Sequence, residues 1–484
     1  MDPVSVGPYL AEDLTAVFGA NSTGDSPEER ARSSDREFVR SQVQLSFSTE
    51  RATGHRLTAA EALELFGWDI LQKVALDGSY NLISKADEPA ATLRSQREGL
   101  NLTVDQLRRR IGLTAQLIQR AETPGEISRI RDLEVLGQSL AIDERVLGFI
   151  PEAHRDQRLG IRLRELISSS DSHAFSPASV LSLTEAAWVI SRQATLARTL
   201  GFETDPIVKE PKHDPNYSYP TWEQGYRLAA RTRQMLGLTE GEPIPSLRSL
   251  IEERLGIPLV QQGLAERFAG ATLANGSARG IVVNERGRNG NVWVRRMTLC
   301  HEVGHLLWDP DQRLDRLRVD EYDDLEQSAL DNRRDPVEIR ANAFAISFLA
   351  PGNAVRAIVH AAADPADALG RVMNTFGISA TAARHHVGNV TNLQTADVPI
   401  RALPLPSDEW IAQENLAVDW FPIRETPISR RGRFALLVAI AYQQHKISGD
   451  TASLLLTCSP QSIQAHVASI VSALSPTQPN AART

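Results

Sequence analysis

Disulfide cross-links cannot be what holds this chain together. Its 484 residues contain two cysteines, Cys300 and Cys458, far apart in the chain. That gives no disulfide framework and points to a reducing compartment. Apolar runs long enough to cross a bilayer are also missing. So is a basic-then-apolar leader, since the chain opens Met1-Asp2-Pro3 and soon carries Glu12 and Asp13. A cytoplasmic protein with no membrane partner is expected. There is no excess of positive charge either: the formal net charge is −8. This argues against non-specific nucleic-acid binding by the whole molecule and leaves room only for a local basic patch. The length suffices for two to four domains, each with its own core.

What is present centres on Arg295–Trp308, which contains His301-Glu302-x-x-His305. Residues four apart on a helix share a face, so two imidazoles at this spacing can grip one metal ion. Glu302 is offset by about 100° around the helix axis. From there it reaches a water on the metal more easily than the metal itself. Two neutral imidazoles and a carboxylate suit Zn2+, which polarises carbonyls and acidifies water, and Glu302 would act as general base. A chain of this composition holds roughly 0.015 chance matches to the pattern. The bland alternative is a buried amphipathic helix with two ordinary histidines. Leu299, Val303 and Leu306 supply a core face separate from that of the histidines, and Gly304 leaves room for close backbone approach.

A zinc site needs a third protein ligand. A third His six residues beyond His305 is absent, because Asp311 stands there. Downstream, Asp335-Pro336 reads as a helix start with N-cap and first-turn proline. Glu338 then falls at the third helical position. It is either a capping-box glutamate or the third ligand, carried on a helix that crosses the first.

Thr298-Leu-Cys-His-Glu-Val-Gly-His-Leu-Leu307, followed by Glu338-x-x-Ala-Asn-Ala-Phe-Ala345 and the Leu349-Ala-Pro351 ending, resembles the ImmA/IrrE family of bacterial metallopeptidases. The resemblance spans roughly residues 218–392. It implies a compact zincin-like fold, with the two helices flanking a small sheet. It also implies metal ligation by His301, His305 and Glu338, with Glu302 as the base. In such a fold a sheet edge near the metal can hold an extended peptide by strand addition. Two departures stand out: Cys300 where the family usually has Ala, and Arg340 at a position often acidic.

Residues 91–131 hold eight Arg against four acids, a local +4 in an acidic protein. A helix starts near Leu93, a second is capped by Thr103, Ile111-Gly112-Leu113 turns, and Thr114 caps a third helix ending near Ala121. Ile130, Leu133, Leu136 and Leu140 space a fourth. This order is similar to the XRE type of helix-turn-helix. The alternative is a plain four-helix unit with a solvated basic face. Thr114, Gln116, Gln119 and Arg120 would face DNA bases, and Arg108, Arg109 and Arg110 its phosphates. Ala115 and Leu117 are apolar where base-reading side chains are expected.

The fold expected is mainly α, with a small α+β zincin-like metallopeptidase domain, a helical N-terminal helix-turn-helix and a helical C-terminal unit. The divisions are 1–85, helical with a mobile loop over Ala20–Ser34; 86–150, helix-turn-helix; 151–217, helical connector and Pro-rich linker; 218–395, metallopeptidase; and 396–484, a helical unit that offers an oligomerisation surface. Three short strands are expected near 256–260, 270–274 and 280–284, and the acid-rich stretch 309–335 reads as a solvated loop or helix. The function expected is a zinc endopeptidase coupled to DNA binding. By resemblance its substrate is a repressor or antitoxin-like protein. The other reading is a non-proteolytic DNA-binding regulator that keeps the peptidase fold as sensor or scaffold. An intact Glu302 favours the enzyme, since a retired site has no chemical reason to keep its base.

Overall fold

The computed structural model describes residues 9–150, 153, 159, 176–202, 221–309, 318–321, 336–415 and 421–474. The chain forms two compact units, one of residues 1–202 with 421–484, the other of 203–420. Residues 160–175 of the expected helical connector, the Pro-rich linker from 203 on and the Asp335 cap lie outside the described residues. Among the described residues no single helix is long and apolar enough to cross a membrane.

The first unit departs from the all-helical N-terminal expectation. Glu37–Arg40 (β1), Gln44–Phe47 (β2), His55–Thr58 (β3) and Ser79–Asn81 (β4) form an antiparallel sheet in the order β3-β1-β2-β4. Helices Ala11–Phe18, Ala59–Phe66 and Trp68–Asp77 close its core of Leu14, Phe18, Phe38, Leu45, Leu57, Leu71 and Val74. Strands of three or four residues show too little alternation to be read from sequence. The expected loop over Ala20–Ser34 contains a helix, Pro27–Ser33. There Ser26 and Glu29 bond reciprocally across its first turn, a capping box that fixes where the helix begins. Thr58 and Glu61 do the same for Ala59–Phe66, which ends at Gly67.

Four helices follow where the sequence places them: Ala90–Gly99, Val104–Ile111, Ala115–Ala121 and Ile130–Ser139. Gly112 closes the second in the left-handed conformation, which a residue without Cβ adopts at no steric cost. The long helix Pro177–Thr199 carries Trp188, which meets Phe434 edge-on and donates its indole N–H to Glu144 at 2.7 Å.

The C-terminal unit expected at 396–484 is divided. Phe421 onward belongs with the first unit, because buried polar groups tie it to distant segments. Ser448 N–H donates to Glu61, Ser448 Oγ to the Arg56 carbonyl, and Arg430 to Gln138. Leu403, Trp410 and Glu414 belong with the second unit. There Glu414 pairs with the fully buried Arg296, whose guanidinium lies 4.6 Å from the Trp410 ring centroid. Arg296 also donates to the carbonyls of Ile244, Phe376 and Gly377. Pairing and saturation of its donors are what allow such a charge to sit inside.

In the second unit, Leu259–Gln262 (β5), Phe268–Asn275 (β6), Ala278–Asn284 (β7) and Arg318–Glu321 (β8) form a mixed sheet in the order β5-β7-β6-β8. β5 and β7 are parallel, while β6 is antiparallel to both its neighbours. Three of these strands fall where expected; β8 arises inside the acid-rich stretch. Helix Val292–Trp308 packs on β6 and β7, and helix Pro336–Leu349 crosses it. Helix Thr221–Met235 approaches the crossing helix at Gly225, where a Cβ would lie 2.5 Å from the Arg340 carbonyl oxygen.

Two glycine substitutions should therefore move stability in opposite directions. Helix propensity favours alanine over glycine by about 1 kcal/mol. At Gly388, on helix Ala380–Val390, a Cβ meets nothing within 4 Å, so Gly388→Ala should stabilise the chain by up to that amount. Gly225→Ala presses on backbone and should cost about 1–3 kcal/mol, overpacking outweighing propensity. Denaturant midpoints of the two variants would check the contrast.

Candidate metal centre

Leu299, Val303 and Leu306 are buried in the core, as their spacing predicts. Gly304 faces Phe344 of the crossing helix so closely that a Cβ would sit 2.9 Å from the ring. This contact brings Glu338 over His301 and His305. The Nε2 atoms of the two histidines are 2.9 Å apart, and Glu338 Oε2 lies 3.2 Å from that of His301 and 3.5 Å from that of His305. His301 and His305 are 1% and 3% exposed, so water does not compete for them.

This donor set fits a metal. Bonds of about 2.0–2.1 Å to tetrahedrally disposed donors separate those donors by about 3.3–3.4 Å, and the three observed distances straddle that value. Among the described residues this is the one cluster of His, Cys, Asp or Glu arranged to hold an ion. Electrostatics agree. Burial disfavours a charged His305, but hydrogen bonds to Asp309 and Glu338 outweigh it and hold the imidazole up at about 9. Burial likewise opposes ionisation of Glu338, yet its bonds to both histidines push it well below the usual carboxylate range. The pocket is thus built to keep a cation beside a carboxylate, a role a divalent ion can take over from protons.

Both ligand candidates are oriented through their second ring nitrogen. His301 Nδ1 is 2.8 Å from Asn342 Oδ1, and His305 Nδ1 is 2.9 Å from Asp309 Oδ2. Such bonds fix the tautomer and aim Nε2 at the metal position. Glu302, 1% exposed, points to the sheet, where Thr272 Oγ1 on β6 donates to its Oε2 at 2.7 Å. At Gly270, two residues earlier on the same face, a Cβ would come 3.0 Å from Glu302 Oε1, so strand and helix meet closely at the base. Asn289 ties the loop before the helix to the sheet, bonding the Ala269 and Asn284 carbonyls.

Asn342, Asp309 and Thr272 were not expected. The first two stand four residues after Glu338 and His305, a helical spacing that could have found them; Thr272 carries no such signal. Cys300 is buried in the core, and burial pushes its thiol up, away from the thiolate form in which cysteine is reactive.

The DNA candidates lie in the first unit. Thr114 caps helix Ala115–Ala121, accepting from Leu117 N–H at 3.3 Å. Gln116, Gln119, Arg120, Arg108, Arg109 and Arg110 are all exposed, and Ala115 and Leu117 are half-buried. Arg108 pairs with Asp105 at 2.6 Å, while Arg110 and Arg120 stand 3.8 and 3.7 Å from Glu185 and Glu126. Exposed pairs of this kind hold weakly, so a phosphate can displace them.

Residues 253–387 match the IrrE N-terminal-like domain of the M78 peptidase family. The match runs from just before β5 into helix Ala380–Val390 and contains every residue of the metal cluster. No curated protein matches the chain. Elemental analysis of the purified protein should find about one divalent metal ion per chain. His301→Ala and His305→Ala should each lose most of it; equal content in all three would remove the site.

Proposed function

We propose that the chain is a zinc-dependent endopeptidase coupled to a DNA-binding helix-turn-helix, acting in transcriptional control by cutting a repressor or antitoxin-like protein. The observation that carries the reading is the convergence of His301, His305 and Glu338 beside Glu302, inside the peptidase-family match. Two imidazoles and a carboxylate form a donor set suited to zinc. Bound there, zinc would polarise a scissile carbonyl and make water more acidic.

The chain's own groups do the rest. Asn342 and Asp309 hold the two imidazoles in register with Glu338. Thr272 fixes the plane of the Glu302 carboxylate by donating to Oε2. Glu302 accepts the proton of the attacking water and returns it to the leaving amine nitrogen, the task of a positioned general base. Burial of the cluster keeps bulk water from competing for these bonds.

Glu302→Gln should keep its zinc and lose proteolysis by at least ~100-fold, the usual scale for a positioned base. Cleavage products of chains expressed in cells, wild type against Glu302→Gln, would identify the substrate. Cutting of that substrate by the variant at the wild-type rate would discard this mechanism.

DNA reading is tested separately by selection from random duplexes. Gln116→Ala or Gln119→Ala should relax sequence preference, each good base pairing being worth about 1–3 kcal/mol. Loss of Arg108, Arg109 or Arg110 should weaken all sequences alike and flatten the salt dependence. No enriched motif, with binding unchanged in the Gln variants, would make this unit a protein-docking module.

A further inference from the structure

We propose that Arg340 is a positioning residue for the metal ligand His305, acting through Asp309. The inference rests on the metal reading of the cluster and extends it to a charged relay between two helices.

Asp309 directly follows helix Val292–Trp308, and its backbone N–H bonds the His305 carbonyl. One carboxylate oxygen meets His305 Nδ1 at 2.9 Å. The other accepts from the Arg340 guanidinium, which reaches it from the crossing helix. Asp309 is 1% exposed and Arg340 3%.

An acid here is poorly placed on two counts. The C-terminal end of a helix carries partial negative charge, which repels a carboxylate. Burial removes the water that would otherwise screen it. Asp309 can serve as the acceptor for His305 in this place because a buried cation faces it. Helix Pro336–Leu349 therefore contributes twice to the same imidazole: Glu338 beside Nε2, and Arg340 supporting the group that holds Nδ1. His301 is held differently, by the neutral Asn342 amide. Loss of Arg340 removes the guanidinium that faces this buried carboxylate. Asp309 then turns or takes up water, and His305 loses its fixed aim.

The test titrates the metal-free, full-length protein with zinc in competition with a chromophoric chelator. It compares wild type, His305→Ala, Asp309→Asn, Arg340→Gln, Arg340→Lys and the Asp309→Asn/Arg340→Gln double variant. Asp309→Asn and Arg340→Gln should each weaken zinc binding 10–100-fold, the usual cost of removing an outer partner of a metal-bound imidazole. Arg340→Lys, which keeps the cation, should stay within about threefold of wild type. The double variant should bind no more weakly than Asp309→Asn alone, because a residue acting through another adds nothing once that other is gone.

Additive losses in the double variant would overturn the relay, as would an Arg340→Gln affinity equal to wild type. If Arg340→Gln does not fold, the soluble, near-isosteric Asp309→Asn decides: wild-type affinity there overturns the proposal. Wild-type binding no tighter than that of His305→Ala would instead sink the metal site itself, and the relay with it.

Discussion

Gly304 and the Phe344 ring meet at a separation with no room for a side chain, and the candidate site depends on that contact. A helix can place two imidazoles on one face by spacing alone. It cannot supply the third donor, which must come from another element at the right height. The missing Cβ at Gly304 lets helix Pro336–Leu349 cross close enough for Glu338 to reach both Nε2 atoms. The crossing helix is gripped from its other side by Gly225, whose backbone presses on Arg340 and Phe344. Two glycines thus accept a propensity cost of about 1 kcal/mol each in exchange for the helix spacing on which a three-donor cluster rests.

Three buried arginines of the second unit are each matched to acceptors from other segments. Arg296 takes three backbone carbonyls and Glu414. Arg233 donates to the carbonyls of Phe348, Thr239 and Glu242. Arg340 faces Asp309. Buried ion pairs are weak sources of net stability, but breaking one leaves an uncompensated charge, so each selects a single arrangement of the segments it joins. Around the site that means one relation between the two helices, and for Arg296 one seat for the stretch that carries Trp410 and Glu414.

How much of this was legible in the sequence varies with the distance over which the signal acts. His301, Glu302 and His305 share one helix, so spacing alone implied their chemistry. Glu338 was readable as a residue type at a helix start, with ligation favoured and capping still open until the crossing was seen. Its Oε2 now stands against the two imidazoles. Strands β5, β6 and β7 were readable because each is an apolar run bounded by glycine. The N-terminal sheet was not, since its strands are four residues or fewer and carry no continuous apolar run. The return of 421–474 to the first unit was hidden for a different reason. It depends on bonds such as Ser448 to Glu61 and Arg56, between residues nearly four hundred positions apart, which no local pattern encodes. Thr272 belongs to the same class: only the register of β6 against the metal helix brings its hydroxyl to Glu302.

That register also bears on how an extended peptide could approach. Gly270 and Thr272 occupy alternate positions of β6 and so face the metal helix together. The edge of β6 nearest the base would be the natural place for a peptide to add as a strand. Here β6 is paired on both sides, with β7 along Gly270–Asn275 and with β8 along Phe268–Thr272. Its backbone groups opposite Glu302 are already committed to the chain's own residues Arg318–Glu321. A peptide approaching that side of β6 while β8 is in place therefore cannot pair with β6 itself. The acid-rich stretch, which read as a solvated loop or helix from its composition, thus supplies the strand that sets how near an incoming backbone comes to the base.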